Sequence, residues 1–332
     1  MQVNELKNIF EIVSILGKGF SPITEYTYVK DNIIKVTNME AFLELKSDTT
    51  IPFNGCVLTD KMNKFLTSMN KEADLKFTVN KNTLDIHYGK RNGITIPMED
   101  LNDFPDSPSL KYSEKDLLCS IPLSKDFVEV LDKAVQFASK QDVTFNGVFL
   151  KNNKIYSTNR EILFVDEVDI NYTDSIFIPY NFIKLLSKFK GVFKLLEVYT
   201  YGFKIIGDST TLYFANFGQK DIPDFDTLIN KYKKAFEIEP TEELKQALDR
   251  VSLFDEIVNV NIKENVVTMF TNNISESVDM DIPSDEIDFK ITIDYLKKVL
   301  SLNVFSVLFN DNRVNAVCGE SETTTILSTL ID

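Results

Sequence analysis

Three stretches of the chain repeat one another: KDNIIKVTN at 30–38, KNNKIYSTN at 151–159 and KENVVTMFTN at 263–272. They begin at Lys30, Lys151 and Lys263, 121 and 112 residues apart. Each is a polar turn followed by a short apolar run that ends in Thr-Asn. A self-similarity of this period is a whole domain, too long for a solenoid unit. Three such domains fit in 332 residues, and each is large enough to bury its own core.

The repeat extends beyond the echoes. A helix-like segment precedes each one. In the first, Val3, Leu6, Phe10, Val13 and Leu16 recur at helical spacing. Phe127, Leu131, Ala134 and Ala138 do so in the second, and Leu244, Ala247, Leu248 and Val251 in the third. One apolar stripe per helix means one face on a sheet and one in solvent. A second helix follows each echo, at 57–70, 178–191 and 291–303, with Leu66, Leu186 and Leu300 in corresponding places. Alternating stretches at 75–90, 194–208 and 305–319 then read as hairpins or meanders. The expected fold is α+β, with each domain built from two similar halves of helix plus antiparallel strands. LNDFPDSPSL (101–110) and QKDIPDFDTLI (219–229) place Pro-Asp after the last strand of a repeat, where proline ends a sheet. The domains are therefore placed at 1–115, 116–234 and 235–332.

No apolar run approaches the roughly eighteen residues of a membrane span. The first residues carry Glu5 and no basic stretch, unlike a signal peptide. Cys56, Cys119 and Cys318 fall in separate repeats without metal-ligand spacing and read as reduced, mostly buried thiols of a cytosolic protein. His87, the one histidine, lies in an alternating strand with no nucleophile-and-acid signature around it. Gly17-Lys18-Gly19 lacks a Walker A frame and reads as a turn. Asp221, Asp224 and Asp226 form an acidic cluster, but no metal-ligand frame such as an EF-hand surrounds them. No catalytic constellation and no cofactor site emerges.

The chain carries a net charge of −14, which argues against nucleic acid until its distribution is considered. The six helix-like segments together carry +5, so strands and loops hold the acid. Helices lining one surface would make a weakly basic groove in an acidic shell. Such a field attracts a DNA backbone without reading bases.

The ordered set of QDVTFNGVFL (141–150), IYSTNREILFVDEV (155–168), IPDFDTLI (222–229), KENVVTMFTNN (263–273) and the C-terminal FKITIDYLKKVL and VLFNDNRVNAV resembles the bacterial-type DNA polymerase III beta subunit, the sliding clamp. The resemblance runs nearly end to end. It implies three tandem clamp-type domains that close into a six-domain ring as a head-to-tail homodimer. Such a ring encircles duplex DNA without sequence preference and tethers a DNA polymerase in the cytoplasm. It is not an enzyme and needs no cofactor.

The resemblance also implies a hydrophobic pocket that takes short peptides from polymerase or clamp loader, each peptide bearing a Gln and apolar anchors. Carried over by position, the pocket consists of Thr158, Leu163, Pro223, Leu228, Thr292, Tyr295, Val314, Ala316, Ile326 and Ser328. DNA contact falls to Lys18, Lys61, Lys64, Lys133, Lys184, Lys188, Lys190, Arg250, Lys297 and Lys298. Leu253 and Phe254 would sit at the dimer interface. The chain departs from the family where Asn159-Arg160-Glu161-Ile162 replaces Asp-Gly-His-Arg, and where the tail ends STLID in place of Met-Pro-Met-Arg. These departures imply an altered pocket and point to a clamp of a phage or other mobile element. Two other readings stand beside the processivity clamp: a clamp-fold adaptor that recruits repair or transcription factors, and an enzyme using the acids at 221–226. Three domains per chain favour two subunits over a trimer.

Overall fold

The computed structural model describes residues 3–70, 73–170, 175–189, 191–215, 222–282, 286–310 and 313–331. Its helices are α1 (Val3–Ser14), α2 (Thr59–Ser68), α3 (Lys125–Ala134), α4 (Tyr180–Lys188), α5 (Phe225–Asn230), α6 (Glu242–Val251) and α7 (Ile293–Leu300). The strand pairings are antiparallel throughout.

The three echoes are three hairpins of one kind. Each has a two-residue loop with both residues in the left-handed region: Asp31 and Asn32 (φ 51° and 66°), Asn152 and Asn153 (50° and 61°), Glu264 and Asn265 (52° and 68°). That geometry matches the right-handed twist of the strands, and Asn and Asp tolerate it best among non-glycine residues. The second-type helices begin later than their apolar patterns suggest. Strands Gly55–Leu58, Ile176–Pro179 and Ile287–Thr292 run directly into α2, α4 and α7 with no intervening loop. A buried strand and a buried helix turn are both continuous apolar runs, so periodicity alone does not divide them.

The chain forms two compact units. The first comprises Met1–Val128 and Asn181–Gln219. Its eleven-stranded sheet runs from the edge strand Leu75–Val79 to the edge strand Leu117–Pro122. At its centre Ala41–Lys46 pairs with Thr210–Ala215, with Phe42 opposite Tyr213. Helices α1 and α2 pack against each other. The buried side of α1 is Val3, Leu6, Ile9, Phe10 and Val13, the expected stripe.

The second unit comprises Glu129–Tyr180 and Lys220–Asp332. It holds an eight-stranded sheet and a four-stranded sheet. In the larger sheet Ile162–Glu167 pairs with Thr324–Thr329, with Leu163 opposite Leu327. In α6 the Thr241 hydroxyl accepts from the Leu244 amide, and Leu244, Ala247, Leu248 and Val251 are buried. Helix α7 buries Ile293, Leu296, Val299 and Leu300.

The segment 219–229 was expected only to end a sheet. Its second half is instead helical. Asp224 caps α5, its carboxylate accepting from the Thr227 amide at 3.0 Å and from the Thr227 hydroxyl at 2.6 Å. That bond satisfies a donor the first turn would otherwise leave unpaired.

Candidate functional site

Helix α5 lies on the eight-stranded sheet and packs over an apolar cluster within the second unit, the candidate cleft. Its floor includes Phe149, Tyr156, Leu163, Val165, Ala316 and Leu327, all buried, and Phe225 anchors the helix to it. The Phe225 ring stacks on Tyr156 with centroids 5.3 Å apart. The Tyr156 hydroxyl donates to the Asp226 carboxylate at 3.1 Å, and Lys154 pairs with the same group at 3.3 Å. The half-buried Phe145, Ile222, Leu228, Ile229 and Tyr232 border the floor. Buried apolar anchors beneath a half-exposed rim are the arrangement that gives hot-spot binding of a short apolar peptide.

One wall is the turn Thr158–Ile162. The Thr158 hydroxyl donates to the Ile162 carbonyl at 2.7 Å, and the Arg160 amide donates back to it at 3.0 Å. Asn159 Oδ1 accepts from the Glu161 and Ile162 amides, which leaves Arg160 at φ 83°. The Tyr295 hydroxyl ties this turn to α7, donating to Glu161 at 2.7 Å and accepting from Asn159 Nδ2 at 2.8 Å. Arg160 pairs with Asp142 at 2.5 Å and lies over the Phe145 ring at 5.3 Å.

The structure brings Leu163, Leu228 and Ala316 into one cluster, with Thr158 and Tyr295 at its neighbouring turn and Pro223 just before α5. Thr292 is half-buried at the start of α7. Val314 lines a separate cleft of about 300 Å3 with Tyr232, Asn315 and Thr329. Ile326 and Ser328 are corrected by the strand's alternation. Leu327, between them, joins the cluster, so its two neighbours project to the other face. There Ile326 lies opposite Phe164, which stacks on Phe137 at 4.9 Å. Sequence position had also missed Phe145, Tyr156, Phe225 and Tyr232, whose only signal was aromatic residues recurring around the second echo and the Pro-Asp segment.

Eight of the ten basic residues fall into two groups. Lys61, Lys64, Lys133 and Lys188 are exposed, and among the described residues none of them joins an ion pair. The others are held by acids. Lys18 pairs with Asp60 at 3.2 Å and Glu25 at 3.5 Å, Asp60 first raising its pKa above the ordinary value. Arg250 makes two bonds to Glu276, at 3.0 and 2.8 Å, Lys297 pairs with Asp249 at 2.6 Å, and Lys298 with Asp294 at 2.7 Å. Lys298 also lies over the Phe137 ring at 5.1 Å. Exposed pairs of this kind are screened by water and salt and contribute little, so a phosphate can displace the acid. Lys184 is half-buried in α4, and Lys190 lies outside the described residues. Leu253 and Phe254, directly after α6, are 79% and 56% exposed.

Among the described residues no group of three His, Cys, Asp or Glu is placed to hold a metal. Asp221 lies outside the described residues, Asp224 caps α5, and Asp226 bonds Tyr156 and Lys154. His87 is exposed on the strand Thr83–Tyr88. Burial pushes the thiols of Cys56, Cys119 and Cys318 up to about 12. No described helix is long and apolar enough to cross a membrane.

No family model matches the chain, and no curated protein matches it in sequence. Solved structures match it along its whole length. The DNA polymerase III subunit beta from Pseudomonas aeruginosa superposes with a TM-score of 0.83 at 15% identity, covering 100% of this chain and 99% of that one. The Helicobacter pylori beta clamp bound to a DNA ligase peptide gives 0.80 at 14% identity, covering 100% and 99%. A Pseudomonas aeruginosa sliding clamp bound to griselimycin gives 0.81 at 15%, covering 100% and 98%. With both chains covered almost completely, this chain has the fold of the DNA polymerase III beta clamps.

Proposed function

We propose that the chain is a DNA sliding clamp, a replication processivity factor that encircles duplex DNA and tethers a DNA polymerase through the Leu163–Leu228 cleft. The observation that supports this most is the match to beta clamps over the whole chain, which carries a capped helix and half-buried Leu228, Ile229 and Tyr232 over an apolar cluster. A Helicobacter pylori beta clamp of the same fold is bound to a ligase peptide. The repeats at 1–115, 116–234 and 235–332 are three clamp domains, and two copies close head to tail into a ring of six. The exposed Lys61, Lys64, Lys133 and Lys188 face DNA phosphate, with Lys18, Lys184, Lys190, Arg250, Lys297 and Lys298 as further contacts. Retention on DNA is topological, so an acidic protein needs only weak, salt-sensitive phosphate contacts. Tethering raises the polymerase's effective concentration at the primer end. The clamp works in the cytoplasm, without catalysis or cofactor, and serves the polymerase of a phage or other mobile element.

The test combines light scattering with retention on circular and linearised DNA in the presence of a loader. A dimer retained only on the circle is the expected result. A monomer with no difference between the two DNAs overturns the ring. Pull-down with the chain as bait then separates a polymerase tether from an adaptor for repair or transcription factors.

A further inference from the structure

The first unit repeats the cleft-forming turn of the second, atom for atom. In Thr37-Asn38-Met39-Glu40 the Thr37 hydroxyl donates to the Ala41 carbonyl at 2.8 Å and accepts from the Met39 amide at 3.0 Å. Asn38 Oδ1 accepts from the Glu40 and Ala41 amides at 3.1 and 2.7 Å, and Met39 stands at φ 76°. The surroundings correspond as well. Phe42 lies opposite Tyr213 as Leu163 lies opposite Leu327. Phe104 packs on Tyr28 at 5.4 Å as Phe225 packs on the corresponding Phe149 at 6.0 Å, and Phe104 also lies 6.1 Å from Phe42. Tyr112 borders the first cluster as Tyr232 borders the second.

The covering segment differs. In the second unit α5 lays Leu228 and Ile229 on the sheet. In the first, the equivalent stretch carries Pro105 and Pro108, and both line a cleft of about 730 Å3. That size is within the range of built ligand sites. Its walls are aromatic. The Tyr112 ring lies 5.1 Å from both Tyr199 and Tyr213. Tyr112 is fixed at its tip, the hydroxyl donating to the Phe214 carbonyl at 3.1 Å. This approach needs Gly202, where a Cβ would lie 2.4 Å from that carbonyl oxygen and 2.6 Å from the Tyr112 hydroxyl. At the mouth, Met39 and Tyr201 are 60% and 68% exposed. Of the charged residues in the lining, two are acids, Glu40 and Asp106, against one base, Lys111.

We propose that this is a second peptide-docking cleft, and that it takes a short extended peptide with an aromatic anchor flanked by Lys or Arg. Aromatic rings pair favourably with rings at such spacings, and a tyrosine face attracts a cation. The acidic mouth complements the flanking base. The first site mixes rings with Leu163, Val165, Ala316 and Leu327 and presents Leu228 and Ile229 at its border. Aliphatic anchors therefore suit it better than they suit the tyrosine-walled cleft, and the two sites hold different partners on one chain. The inference rests on reading the first cleft as a peptide site.

The test uses the full chain and a fluorescein-labelled octapeptide carrying one Phe flanked by Arg in a Gly-Ser frame. A second probe carries Gln and two Leu. Tyr201→Ala, and Glu40→Lys with Asp106→Lys, alter exposed side chains and leave the core intact. Each is expected to weaken the Phe-Arg probe at least tenfold, with Leu228→Ala leaving it unchanged. Hydrogen exchange should slow at 39–42 and 199–202 when that probe binds. Absence of binding, or binding lost only in Leu228→Ala, overturns the proposal. Binding of the Phe-Arg probe here with no binding of the Gln-Leu probe anywhere leaves this cleft standing and removes the reading of the first.

Discussion

Leu163 and Leu228 belong to one cluster, yet truncation would affect them differently. Leu163 is 4% exposed and supports the sheet beneath the cleft, so Leu163→Ala removes core packing and costs about 3 kcal/mol. Leu228 is half-buried at the rim, and its truncation falls mainly on a bound ligand. Leu228→Ala is expected to weaken a Gln-and-Leu peptide at least fivefold by fluorescence anisotropy, consistent with loss of a hot-spot contact above about 1 kcal/mol. The melting temperature should barely move. The cysteines make a second residue-scale expectation. The thiolate is the reactive form, and burial raises all three thiols to about 12, so almost none is ionised at pH 8. A thiol-disulfide reagent should label the buried Cys56 and Cys318 slowly in the native protein, the half-buried Cys119 sooner, and all three at once in denaturant. Rapid native labelling of Cys56 and Cys318 would show that this burial is transient.

At the scale of elements, α5 is the piece on which the cleft depends, and a carboxylate holds its first turn. The Thr227 hydroxyl and amide hold the Asp224 pKa below its ordinary value. A folded pKa below the unfolded one gives stability that is complete above the unfolded value, about 3.9, and is lost as pH falls through the folded value. The Thr227 amide should therefore lose its hydrogen-bonded chemical shift only below that range. Asp224→Asn should keep the cap and flatten this titration, while Asp224→Ala should free the amide at every pH.

Much of the architecture could be read beforehand because its signals are local. Asn at the second loop position of all three hairpins, after Asp, Asn or Glu, marks the turns, and the stripes of α1 and α6 mark their buried faces. Helix α5 was not legible, since six residues span too few turns for periodicity to show. Leu327 was missed in favour of Ile326 and Ser328 because a shift of one residue reverses a strand's faces, and pairing sets that phase. The basic residues were visible as charges, but Asp60, Glu276 and Asp249 meet Lys18, Arg250 and Lys297 only through folding, whereas Asp294 and Lys298 are an i,i+4 pair.

At the scale of the whole molecule, the repeat leaves one joint open. Ala41–Lys46 pairs with Thr210–Ala215, and Ile162–Glu167 pairs with Thr324–Thr329. Each joint links the third strand of one repeat to the last meander strand of the next. The third strand of the third repeat is Ser275–Asp279, an edge with Val266–Phe270 as its one described neighbour. The last meander strand of the first repeat is Asn92–Glu99. It pairs with Thr83–Tyr88 along 92–97, and only Met98 and Glu99 pair with Gly55–Leu58 on its other side. Open edges invite further strands. In the proposed ring the edge Ser275–Asp279 of one copy meets the 92–97 stretch of the other, and because the contact is head to tail, two copies close it with two equal joints. Leu253 and Phe254, the exposed pair after α6 in the third repeat, would then be buried at that joint. Leu253→Asp with Phe254→Asp places two charges there without touching either unit's core. Light scattering should then give a monomer of unchanged circular dichroism, with retention on circular DNA lost and binding of a Gln-and-Leu peptide kept. A variant that stays dimeric would place the joint on another edge.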